Sequence, residues 1–79
     1  MKVQAYVLFR MYPNKIKEVI QHVQQMKGVL QAHAVTGPFD GIAYVEAGDI
    51  KELGRLILSE IQNLDGVRDT TTCLVVDIE

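Results

Sequence analysis

Asp40 is the side chain of this 79-residue sequence best placed to meet a ligand. It sits in Thr36-Gly37-Pro38-Phe39-Asp40-Gly41, between two apolar stretches. Glycine gives such a loop backbone freedom, and proline fixes one φ angle. A carboxylate held there accepts hydrogen bonds from an ammonium group or from nearby backbone amides. Exposed N–H groups of residues 37–41 offer partners to a carboxylate. Farther along, Thr70 and Thr72 share one face of a β-branched run and Thr71 takes the other. Their hydroxyls suit a carboxylate or an amide. A zwitterion such as a free amino acid needs both kinds of partner. The plainer alternative is that Asp40 caps its own turn and the threonines are simply good strand formers.

The other reactive residue types carry less. His22 lies beside an apolar helical stripe and reads as a surface or partly buried histidine. His33 falls on a strand just before the loop and can line a site, although the sequence puts no acid beside it. Cys73 is mid-strand and reads as a buried, inert thiol. Arg10 offers one cation to an anion. HExxH, CxxC and a glycine-rich phosphate loop are all missing, so no metal, cofactor or catalytic residue is expected.

Seventy-nine residues suit one domain with a thin core of its own. A single cysteine excludes an internal disulfide, which leaves association with another chain as the remedy. With 48% apolar residues the chain is not disordered. Eight Lys or Arg against ten Asp or Glu give −2, with the cations scattered, so direct binding of DNA or RNA is not expected. No eighteen-residue apolar run spans a membrane, and the start lacks a signal-peptide pattern. A cytoplasmic home is expected.

The elements that must hold these residues follow from periodicity. Residues 3–9 alternate as a strand, with Val3, Ala5, Val7 and Phe9 on one face and Gln4, Tyr6 and Leu8 on the other. Tyr12-Pro13 opens a helix whose stripe is Ile16, Val19, Ile20, Val23 and Met26, and Gly28 stops it. Residues 29–36 form strand two: Leu30, Ala32 and Ala34 share one face, Val29, Gln31, His33 and Val35 the other. Residues 42–47 return as strand three. Asp49 with Glu52 makes a capping box for a second helix, whose stripe is Leu53, Ile57, Ile61 and Leu64, with Leu56 beside it. Gly54 interrupts that helix and suggests a close approach. Residues 70–78 are the last strand. The order βαββαβ predicts an α+β, ferredoxin-like fold: a four-stranded antiparallel sheet with two helices on one face. The usual strand order is 4-1-3-2, though sequence leaves pairing open. Tyr6, Leu8, Ile42, Tyr44 and either Leu74/Val76 or Cys73/Val75 then point from the uncovered face. Such a patch predicts a symmetric dimer joined through the open sheet.

Residues 35–40, Val-Thr-Gly-Pro-Phe-Asp, and residues 64–72, Leu-Asp-Gly-Val-Arg-Asp-Thr-Thr-Thr, together resemble the effector-binding domain of the Lrp/AsnC transcription regulators. Tyr12-Pro13-Asn14-Lys15 resembles that domain's helix start, with Asn14 where glycine is common. The resemblance covers essentially residues 1–79. It implies dimers through the sheets, further assembly such as octamers, and amino-acid effectors held between dimers. It places Asp40 at the effector's amine and the backbone of Gly37, Pro38 and Phe39 around the pocket, with Thr70 and Thr72 contributing from the same or a neighbouring dimer. His33 is added from its position alone. The sequence starts at strand one, so the expected form is a stand-alone domain without the family's helix-turn-helix. Its expected partners are its own copies, a free amino acid, and full-length regulators of the family with which it co-assembles. Three rivals remain. One is an assembly module without a ligand. Another is a sheet-dimerising enzyme such as a cofactor-free monooxygenase. The last is an RNA-binding sheet, which would need basic residues around Tyr6 and Tyr44.

Overall fold

The computed structural model describes residues 2–78. β1 (Val3–Met11) leads through a 3-10 turn at Pro13–Lys15 into α1 (Ile16–Gln24). β2 (Val29–Ala34) and β3 (Gly41–Ala47) follow as a hairpin. α2 (Ile50–Arg55) runs on as a π-helical stretch, Leu56–Ile61, and β4 (Val67–Leu74) comes last. The sheet order is β2-β3-β1-β4, antiparallel throughout. This is a ferredoxin-like arrangement, in the 4-1-3-2 order.

β1 occupies the centre and is bonded on both sides. Its alternation is strict: Ala5, Val7, Phe9 and Met11 are buried, while Tyr6 and Arg10 are exposed. β3 adds Ala43 and Val45 to the buried face, and β2 adds Ala32. Against them the helices set Val19, Ile20, Val23, Leu53, Leu56, Ile57 and Ile61. Among the described residues no polar side chain is buried. Burial of aliphatic side chains at about 25 cal/mol per Å² therefore drives this core, with no internal polar network.

The helix signals act locally as expected. Tyr12 is extended and Pro13 takes the first helical turn. Asp49 Oδ1 accepts the Glu52 N–H at 2.7 Å, capping α2. Gly28, at φ +94°, turns the chain after α1 and brings its carbonyl within 2.8 Å of the Glu46 N–H. Gly41 is needed for space: a Cβ there would lie 2.6 Å from the Phe9 ring.

Three expectations change. In β2 the register shifts between Val29 and Gln31, opposite Val45 and Tyr44, so Val29 and Ala32 face the core together. Leu30 is the extra residue and is left exposed, which simple alternation does not foresee. The second helix is not uniformly α: Gln62 donates to the Ile57 carbonyl at 2.9 Å, five residues back. That wider winding lets Leu56 join Ile57 and Ile61 in the core. Gly54 makes no close approach, since a Cβ there would meet nothing within 4 Å. Neither space nor a positive φ requires glycine at this position. Gly54→Ala is expected to stabilise the protein by about 0.5–1 kcal/mol, read from the shift in a chemical denaturation midpoint.

Candidate functional site

Asp40 is fastened to the end of β1. Its Oδ2 accepts the Met11 N–H at 2.9 Å, its own N–H donates to the Phe9 carbonyl at 3.0 Å, and its carbonyl accepts the Val35 N–H at 2.9 Å. The carboxylate thus bonds neighbouring backbone across the sheet instead of capping its own turn. It does so where the register of β1 against β4 shifts, between Arg10 and Met11. Gly37 stands exposed at φ +135° in the adjoining loop, beside exposed Pro38. Phe39 is half-buried, and the Arg10 guanidinium carbon lies 5.9 Å from its ring centroid. Arg10 Nε also donates to Asp69 Oδ1 at 3.2 Å. The loop, Arg10 and Asp69 therefore share one end of the sheet.

The threonines lie elsewhere. Thr70 pairs with Phe9 and Thr72 with Val7, whose side chains are core-facing, so both threonines take the helix side. Thr71 and Cys73, opposite Leu8 and Tyr6, take the open side. Gln62 Nε2 donates to Thr70 Oγ1 at 2.7 Å. These groups edge a groove of about 290 Å³ between the second helix and β4. Ile50, Gly54, Leu58 and Leu74 supply much of its apolar wall. Ile50 and Leu58 are 59% and 60% exposed, high for side chains of this size.

His33 pairs with Ile42 and faces the open side of the sheet, exposed and away from the groove. A single copy of the chain thus separates the expected site residues into three places: the loop at the sheet end, the threonines on the helix side, and His33 on the open side. Cys73 corrects the sequence reading, because it is exposed and not buried. Its strand is an edge, and its side chain points where no helix lies. His22 is exposed on α1. Sequence patterning does not point to Gln62, since only the helix-to-strand turn brings it to Thr70. Asp69 was missed as the partner of Arg10, which becomes visible once β4 is known to lie beside β1.

The open face carries Tyr6 and Tyr44 with ring centroids 4.8 Å apart, flanked by Leu8, Ile42 and Cys73. At its far end Gln4 donates to Glu46 at 3.0 Å and Lys2 lies 3.4 Å from the same carboxylate. The Gln4 bond, and then the Lys2 charge, hold Glu46 below its ordinary value of 4.5, against the opposing effect of desolvation. A second hollow of about 440 Å³ lies at that end, lined by charges of both signs, including Lys27, Arg55, Glu52 and Glu60. Among the described residues no group of three His, Cys, Asp or Glu could hold a metal ion. No helix there is long and apolar enough to cross a membrane.

The sequence model of the Lrp/AsnC ligand binding domain matches residues 4–78. The chain belongs to this family. An HTH-type transcriptional regulator of Pyrococcus furiosus is 31% identical over 71 residues, covering 86% of this chain and 47% of that protein. The chain spans about half the length of the curated relatives it matches. A Thermus thermophilus protein of known structure is 30% identical, with a TM-score of 0.91 and coverage of 98% of this chain and 96% of that one. A Neisseria meningitidis transcriptional regulator, solved as its L-Met complex, superposes with a TM-score of 0.85. It covers 96% of this chain and 51% of that one, and at 20% identity it shows the fold alone. Membership makes this a ligand-binding regulatory domain and not an enzyme, which removes the monooxygenase reading.

Asp40→Ala leaves the Met11 N–H without its charged acceptor and is expected to cost about 1.5–3 kcal/mol in denaturant unfolding. Asp40→Asn, which keeps an acceptor oxygen, is expected to cost less.

Proposed function

We propose that this protein binds a free amino acid at the boundary between its own copies and alters the assembly of transcription regulators of its family. The observation that carries the reading is the division of the site. The loop of Gly37, Pro38, Phe39 and Asp40 lies at the sheet end, and the groove of Thr70 and Thr72 lies on the helix side. A pocket drawing on both is completed by a neighbouring copy. The loop amides and the free carboxylate oxygen of Asp40 suit the charged ends of a zwitterion. The apolar wall of the groove, with its hydroxyls, suits an aliphatic portion. The L-Met complex of the Neisseria protein is a property of that protein, and it supports an amino acid as the first class to test. His33 faces the open sheet and would act only from within a subunit interface.

The open sheet face is the dimer surface in this reading. Tyr6, 45% exposed, stands at the centre of an apolar patch that no helix covers. Soluble monomers rarely leave such a face bare. Dimers then assemble further, to an octamer or a ring of similar size. They also mix with full-length Lrp/AsnC regulators in the cytoplasm. The net charge of −2 disfavours direct contact with nucleic acid. Tyr6→Glu is expected to yield a folded monomer at micromolar concentration, measured by light scattering after gel filtration. Retention of the native mass would overturn the sheet-face dimer.

The ligand reading is tested by calorimetric titration of the native assembly with each common amino acid. Because Asp40 also holds β1, its loss confounds binding with folding. Thr72→Val is the cleaner variant, since the hydroxyl of exposed Thr72 makes no hydrogen bond among the described residues. Saturable binding weakened about tenfold by Thr72→Val, at unchanged mass, supports the reading. Silence across the panel sinks it and favours an assembly module that acts without a ligand.

A further inference from the structure

We infer that Arg10 is the carboxylate anchor of this site, a step that rests on the ligand reading above. A zwitterion brings a carboxylate as well as an amine. Arg10 is the cation in contact with the Gly37–Asp40 loop, through its position 5.9 Å from the Phe39 ring. It is also joined in sequence to Met11, whose N–H holds Asp40. Arg10 and the loop acid therefore lie at the same end of the sheet.

The state of the guanidinium sharpens the assignment. Its bond to Asp69 uses Nε alone, at 3.2 Å. Among the described residues, neither terminal NH₂ group makes a hydrogen bond. The planar edge formed by those two groups is the part of arginine that receives a carboxylate through two parallel bonds. Asp69 on one side and Phe39 on the other restrain the plane without using that edge. In a single copy the side chain is 51% exposed, at the end of the open face away from Tyr6, so a ligand reaches it without breaking the core. An ion pair this exposed contributes little to folding, which leaves the arginine open to substitution.

Asp40 and Arg10 thus divide a zwitterion between them, the acid taking the amine and the fork joining the loop amides on the carboxylate. A ligand whose carboxylate is masked loses the second interaction only. The test follows from that asymmetry. The native assembly and its Arg10→Gln variant are titrated with the common L-amino acids and with the α-amide of each acid that binds. Circular dichroism and light scattering verify fold and mass. Arg10→Gln is expected to weaken the free acid at least tenfold and to leave the amide unchanged, and Arg10→Lys to fall between. Equal effects on acid and amide, or no effect on either, overturn the assignment while leaving the ligand reading intact. Failure of every amino acid to bind the unaltered protein overturns both.

Discussion

The double pairing of β1 governs this structure. A strand bonded on both sides cannot rotate or slip, so its alternate residues are committed to opposite faces. Ala5, Val7, Phe9 and Met11 receive the helices. Tyr6, Leu8 and Arg10 receive none. From this one register follow the core, the uncovered face and the candidate site, because the loop is tied to the end of the same strand at Phe9 and Met11. The threonines of β4 inherit their side from it as well, through their pairing with Phe9 and Val7.

Much of the fold is legible from period alone. The stripe of α1, the cap at Asp49 and the alternation of β1 each reflect interactions within a few residues, where sequence and structure speak the same language. The departures arise where a local rule meets a neighbour. Strict alternation assigns Leu30 and Ala32 to one face, but an inserted residue in β2 resets the count. A mid-strand position in a β-branched run suggests burial for Cys73, and its place on an edge strand, facing away from the helices, exposes it. The π-helical stretch after Arg55 leaves no mark in a pattern that fits an ordinary helix equally well.

The site is legible in its parts and not in its layout. Residue type makes Asp40 a candidate, yet its bond to Met11 spans 29 positions and has no short-range signature. Alternation places Thr70 and Thr72 correctly on one face. Which face that is depends on β4 lying beside β1. The resemblance to the Lrp/AsnC family points to a function that periodicity does not reach, and the match over residues 4–78 establishes the family. What the structure adds is that loop and hydroxyls belong to different sides of one chain, so geometry within a single copy does not close a pocket.

The irregularity at Leu30 has a consequence for the free edge of β2. That edge presents Leu30, Gln31, Ala32, His33 and Ala34, with neither lysine nor proline to repel another strand. Bare edges of this kind template open-ended growth, strand upon strand. A bulge disrupts the ladder locally and twists that end of the edge, between Val29 and Gln31, out of line. The same inserted residue that confounds the sequence pattern therefore breaks the start of this edge as a template for strand-on-strand growth.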